Sequence, residues 1–290
     1  MTTSSRRVTF SLLLLGVTAI WGWTFTLVKA AVTGYSVLGF LSLRFALAAA
    51  VLAPVAAKQM HKRDWGVGVA IGLALAAGFL LQTFGLKTTT PTNSGLITGL
   101  FVVFAAVWNR ALFGVRTPRN YPLLLACSLT GLALLTGAGP ALPKPGDLLT
   151  LACAVAFGLH VALLDRHAKG HSARALALVQ LGTTAVVCSV AWPVAEPLVM
   201  PGRDVWGAIA LCGGVASAAA FLIQTLAQRE LPAAQAAMIL TMEPVFAGYF
   251  GNLLAGDALT PLQYAGAAMM MAALLAANLG PKHEEALLER

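Results

Sequence analysis

The chain has 290 residues, of which 58% are hydrophobic and only 10% charged, where a soluble globular chain carries about 25% charged residues. With a mean hydropathy of +0.80, that deficit excludes an ordinary water-soluble domain and makes lipid the solvent for most of the surface. The net charge of +8 does not point to nucleic acid, because the basic residues sit in short loops between apolar runs rather than on one polar face.

A spanning helix needs roughly 20 mostly apolar residues. Runs that meet this lie at 9–29, 35–57, 65–86, 91–113 and 121–139, and again at 146–164, 173–195, 205–227, 232–255 and 261–280. The first follows Arg6 and Arg7 and has the look of a signal peptide. Its apolar stretch from Val8 to Val28 is longer than a signal core of about 7–15 residues and lacks a small-x-small cleavage site, so a retained helix is expected. Gly68/Gly72 and Gly95/Gly99 have the GxxxG spacing of close helix packing. Trp65 and Trp206 stand at helix ends, where interfacial aromatics belong. Cys127, Cys153, Cys188 and Cys212 all fall inside apolar runs without metal-ligand spacing, and read as small core residues. Glu284, Glu285 and Glu289 read as a solvated tail.

With the N-terminus inside, 14 of the 19 Lys and Arg fall in inside segments, and Lys29, Lys87, Lys144 and Arg203 fall outside. That bias puts both termini in the cytoplasm. The sequence also repeats itself. Phe79-Leu80-Leu81-Gln82-Thr83 recurs as Phe221-Leu222-Ile223-Gln224-Thr225, 142 residues on, and the same offset carries Val103-Phe104 to Val245-Phe246 and Gly114 to Gly256. An offset of 136 carries Trp21-Gly22 to Phe157-Gly158 and Arg44 to Gln180. The expected fold is therefore all-α and integral to the membrane. It has ten transmembrane helices in two five-helix repeats (1–140 and 141–281) and a short cytoplasmic tail, 282–290. Five spans per repeat is odd, so the second repeat runs inverted, as in many secondary transporters.

Several strings resemble the EamA-type drug/metabolite transporter superfamily: Ile20-Trp21-Gly22-Trp23-Thr24-Phe25, Leu43-Arg44-Phe45, the stretch from Leu81 to Thr89, Gly95 to Val103, and Met242-Glu243-Pro244-Val245-Phe246-Ala247. The resemblance covers most of both halves. It implies transport, often export, of small metabolites such as amino acids, amines, carboxylates, nucleosides or drugs. Two positions depart from the family pattern. The Pro usual in helix four is replaced near Ala105-Ala106, which leaves open whether helix four kinks as helix nine can at Pro244, and Gly256-Asp257 replaces the usual Gly-Glu.

Depth along each helix, at about 1.5 Å per residue, selects the candidate substrate-binding residues. Arg44, His160 and Glu243 lie near mid-membrane, where ionisable side chains face a partner or a cavity. Arg44 and Glu243 are read as framing a polar site, as a pair or as separate contacts for substrate charge; the structural alternatives are an ion pair stapling the halves, or Glu243 bonding the backbone freed at Pro244. His160 is read as a structural residue or a proton relay. Gln82 and Gln224, and likewise Asn93 and Gln235, sit at opposite ends of equivalent helices, where alternating gates belong. Trp21, Phe101 and Phe157 would line an apolar site for an amphipathic substrate. No GxxxxGK[ST], HExxH or Gly-x-Ser motif with a supporting base is present, so no ATP-driven pump, metal centre or other cofactor is expected. The expected protein is not an enzyme but a monomeric, multi-pass secondary exporter of amino acids or related metabolites in the inner (plasma) membrane, with protons as the candidate coupling ion. The alternatives are an intramembrane enzyme acting on lipid or peptide, and a carrier of nucleosides, amines or drugs.

Overall fold

A computed structural model of the chain describes residues 3–115, 121–135, 144–231 and 233–279, and the expected tail 282–290 lies outside these. Thirteen α-helices account for most of them, and no strand occurs among the described residues. The first half holds α1 (Thr3–Thr33), α2 (Val37–Ala56), α3 (Lys62–Leu86), α4 (Pro91–Thr98), α5 (Phe101–Phe113) and α6 (Tyr121–Leu135). The second holds α7 (Pro145–His167), α8 (Ala173–Ala195), α9 (Arg203–Gly213), α10 (Ala220–Glu230), α11 (Ala233–Leu240), α12 (Glu243–Ala255) and α13 (Pro261–Leu279). Local chemistry sets the ends. The Ser36 and Ser172 hydroxyls cap α2 and α8, Thr90 followed by Pro91 opens α4, and Pro145 with Asp147 opens α7. α5 and α12 stop at Gly114 and Gly256, which adopt φ of 67° and 68°, a conformation that favours glycine.

Among the described residues, eight rods are long and apolar enough to cross a membrane: α1, α2, α3, α4 with α5, α7, α8, α9 with α10, and α11 with α12. α6 and α13 pack against each other, with Gly131 set on the Gly266 carbonyl and the Met270 side chain.

Two rods depart from smooth helices. Helix four is broken at Gly99-Leu100, although no proline lies within α5. The break in helix nine falls at Thr241-Met242, which is 142 residues further on. The backbone bonds around both breaks correspond: Leu100 N to Ile97 O (3.1 Å) matches Met242 N to Ile239 O (3.0 Å). In helix nine the cause is Pro244, which lacks an N–H. Helix four has Val102 at the equivalent position, but Pro244 reaches across to it. A Cβ added to Gly99 would lie 2.2 Å from the Pro244 ring. One proline therefore sits at both breaks. The second departure is a π-helical turn, Gly214–Ala219, between α9 and α10, a form concentrated at functional sites.

Packing between the halves is reciprocal. α3 packs on α7 as α10 packs on α1, α5 on α7 as α12 on α1, and α3 on α8 as α9 on α2. Equivalent close approaches recur too. A Cβ on Gly22 would lie 2.5 Å from Phe246 Cβ, and one on Gly158 would lie 2.6 Å from Phe104 Cβ. One partner contact is missing. α4 packs closely on α12, but α11 and α5 do not pack to a comparable extent.

Candidate functional site

Aromatic side chains converge where α1, α3, α7 and the α10 segment meet. Trp21 stacks obliquely on Phe221 (5.2 Å between centroids), Phe79 meets Phe157 edge-on (5.1 Å), and Phe79 meets Phe221 at 5.9 Å. Beside them lies a cavity with about 560 Å³ of empty space, its open mouth included. Its wall is built from equivalent positions of the two halves: Trp21 with Phe157, Thr24 with His160, Phe25 with Val161, Phe79 with Phe221, Gln82 with Gln224, and Phe101 with Glu243. Phe101 and Glu243 are the first residues after the two helix breaks.

Arg44 enters from α2. It is 2% exposed, its Nε donates to the Ser217 hydroxyl in the π-helical turn (2.8 Å), and its guanidinium lies over the Phe79 ring (4.6 Å) and near that of Phe45 (5.1 Å). Glu243 is 6% exposed. Arg44 and Glu243 line the same cavity yet make no ion pair, and no hydrogen bond of the Glu243 carboxylate occurs among the described residues. The reading of the two as a fixed pair is thereby overturned, because Arg44 is held instead by a hydroxyl and two ring faces. Glu243 does not bond the backbone freed at Pro244 either.

His160 Nε2 is 2.7 Å from Gln180 Oε1, and Gln180 Nε2 donates in turn to Thr225 Oγ1 (3.3 Å). Gln82 Nε2 donates to Thr98 Oγ1 (3.2 Å), whereas the buried Gln224 Oε1 has no partner among the described residues. Trp21 Nε1 donates to the Ala216 carbonyl (2.8 Å), which the π-helical turn presents to it.

Of the candidate residues, Trp21, Arg44, Gln82, Phe101, Phe157, His160, Gln224 and Glu243 line the cavity. Asn93 and Gln235 do not. Asn93 is buried in the first turn of α4, and Gln235 is exposed at the start of α11, where it donates to Ser11 Oγ (2.9 Å). Sequence reasoning overlooked Thr24, Phe25, Phe79, Val161 and Phe221 as lining residues. Phe79 and Phe221 open the strings that mark the repeat, so the signal was present. Nothing in the sequence pointed to Ser217 as the partner of Arg44. Among the described residues no three His, Cys, Asp or Glu side chains are grouped to hold a metal ion.

The EamA-like transporter family model matches the chain twice, over residues 9–137 and 144–279. An uncharacterized transporter of Archaeoglobus fulgidus is 28% identical over 263 residues, spanning 91% of this chain and 83% of its own. The uncharacterized transporter YwfM of Bacillus subtilis is 22% identical over 287 residues, spanning 95% of this chain and 96% of its own. A crystal structure of another protein superposes with a TM-score of 0.69 over 97% of this chain and 99% of its own; at 21% identity that likeness speaks for the fold alone. With the family matched over nearly its whole length and eight rods able to cross a bilayer, the chain is a multi-pass membrane protein that belongs to the EamA-like transporter family.

Proposed function

We propose that the protein is a secondary-active exporter of small amphipathic metabolites, amino acids or close relatives, working by alternating access in the inner (plasma) membrane. The observation that carries this reading is the cavity in which Arg44 and Glu243 stand unpaired among aromatic side chains. Burying a charge without a partner is strongly unfavourable. A ligand that brings both missing charges, with an apolar side chain for the aromatic walls, would relieve both. Zwitterionic amino acids have that form.

Ten spans in two inverted five-helix halves, with both termini cytoplasmic, complete the proposal. The positive-inside distribution supports the orientation. The reciprocal packing and the matched helix breaks support the inverted relation, since secondary transporters place their sites at broken helices between inverted repeats. Both sets of wall residues come from one chain, so a monomer suffices. Coupling would draw on a gradient, with protons as the candidate ion and Glu243 and His160 as their candidate carriers.

The test is counterflow into proteoliposomes with radiolabelled amino acids, with and without a pH gradient. Accelerated exchange of a subset is expected, and Glu243→Gln should remove any dependence on the gradient. Absence of exchange for every amino acid would overturn the substrate class.

A further inference from the structure

The polar groups of the cavity can be sorted by what already satisfies them. Trp21 Nε1 is taken by the Ala216 carbonyl and the Thr24 hydroxyl by the Trp21 carbonyl (2.8 Å each). Gln82 Nε2 is taken by Thr98 and His160 Nε2 by Gln180. Among the described residues no hydrogen bond is made by the Glu243 carboxylate or by Gln224 Oε1, and the latter is wholly buried in a residue only 2% exposed. Both come from the second half. The equivalent of Gln224, Gln82, is anchored by donating through Nε2 to Thr98; 142 residues on from Thr98 stands Leu240, which has no hydroxyl, so the Gln224 amide lacks that anchor.

Resting on the reading of this cavity as the substrate site, we propose that Gln224 and Glu243 form a subsite for a primary ammonium group, with Arg44 receiving the anionic end of the same ligand. Gln224 is then a specificity-determining residue. A primary ammonium offers three N–H donors, enough for an amide oxygen and a carboxylate together. A quaternary ammonium offers none and would be held by ring faces alone. Hydrogen-bonding sites reject analogues that lack the donor, because the buried acceptor is again left unpaired. The aromatic walls by themselves would admit both classes, so the selectivity falls to the two acceptors.

The experiment measures thermal stabilisation of the purified full-length chain by L-phenylalanine and L-leucine, and by their N-methyl and N,N,N-trimethyl derivatives. Counterflow of the same compounds is followed in parallel. The primary amines should bind on the order of tenfold or more tightly than the trimethyl forms. Gln224→Leu, which replaces the orphan amide with an apolar side chain of similar size, should narrow that ratio while the unliganded melting temperature stays near that of the unaltered chain. Equal binding of primary and trimethyl forms, an unchanged ratio in Gln224→Leu, or no binding of any of the compounds would overturn the subsite. Selective binding without counterflow would instead overturn the carrier reading and leave the subsite standing.

Discussion

The two ends of the broken helices are built from equivalent positions and packed very differently. At the α4 end every residue from Pro91 to Thr98 is buried. Gly95 and Gly99 let the helix close on Ala247 and Pro244, and the Thr92 N–H donates to the Asp257 carboxylate (2.9 Å). At the α11 end the positions of Gly95 and Gly99 are occupied by Ala237 and Thr241, α5 stands off, and Gln235 is exposed. A pair of glycines against an alanine and a threonine is enough to separate a sealed end from a loose one. Packing at the α4 crossing depends on approach distances that a single methyl group would forbid.

The sharpest way to break this difference is to put a side chain into the sealed end. Gly99→Val should meet the Pro244 ring, since even a Cβ there would be 2.2 Å from it. Overpacking of this kind is expected to destabilise by about 1–3 kcal/mol. Thr241→Val, at the equivalent position, adds no bulk and removes one hydroxyl hydrogen bond to the Met238 carbonyl, which should cost about 0.5–1.5 kcal/mol. Thermal unfolding in detergent and counterflow should both register the first variant more strongly than the second. Equal effects would mean that the two ends do not differ as described.

A second comparison reads accessibility directly. Asn93 and Gln235 are equivalent positions, one 7% exposed and buried in α4, the other exposed. In a background without the four native cysteines, Gln235→Cys should react with a water-soluble maleimide while Asn93→Cys stays protected. Similar rates at the two positions would contradict the asymmetry.

Eight of the expected spans correspond to rods able to cross a membrane, and these were legible because hydropathy alone marks a helix that must cross lipid. The repeat was legible because Phe79–Thr83 survives nearly unchanged as Phe221–Thr225. Eight of the sixteen residues of the cavity wall were among the candidates; apolar positions such as Phe25, Phe79, Val161 and Phe221 were not, because hydropathy does not separate a cavity wall from a packed or lipid-facing side chain. The break in helix four was not legible. Val102 carries no warning, and nothing in the local sequence shows that Gly99 packs against the distant ring of Pro244. The partner of Arg44 was equally hidden, because a π-helical turn changes which face Ser217 presents, and no periodicity in the sequence registers it. Asn93 and Gln235 were drawn into the candidate set by symmetry of position, but symmetry of position does not ensure symmetry of environment.

A milder probe of the sealed end is Lys29. Its ammonium donates to the carbonyls of Leu86, Lys87 and Thr89, tying α1 to the last turn of α3. Lys29→Met keeps the apolar stem and removes the charge. The loss should be about 1–2 kcal/mol, below the usual range for a buried charge-assisted bond because the site is partly open to solvent. A melting temperature unchanged in Lys29→Met would show that the lysine decorates the helix end without bracing it.

The smallest effect is expected at the opposite end, on the reciprocal interface. Where α7 meets α3, the Thr89 hydroxyl donates to the Asp147 carboxylate out of contact with solvent, and the backbones of Gly85 and Gly146 touch. Where α1 meets α10, the contact is an ion pair between Arg6 and Glu230 at 3.0 Å, with side chains 52% and 26% exposed. Water competes for such a pair and salt screens it. Arg6→Ala should therefore cost at most about 1 kcal/mol at low salt, shrinking further at high salt. Asp147→Ala, which strands a buried hydroxyl, should cost about 1–3 kcal/mol at any ionic strength. Unfolding of both variants at two salt concentrations separates the cases. A salt-independent loss at Arg6 comparable to that at Asp147 would place a buried latch at the end that the packing marks as loose.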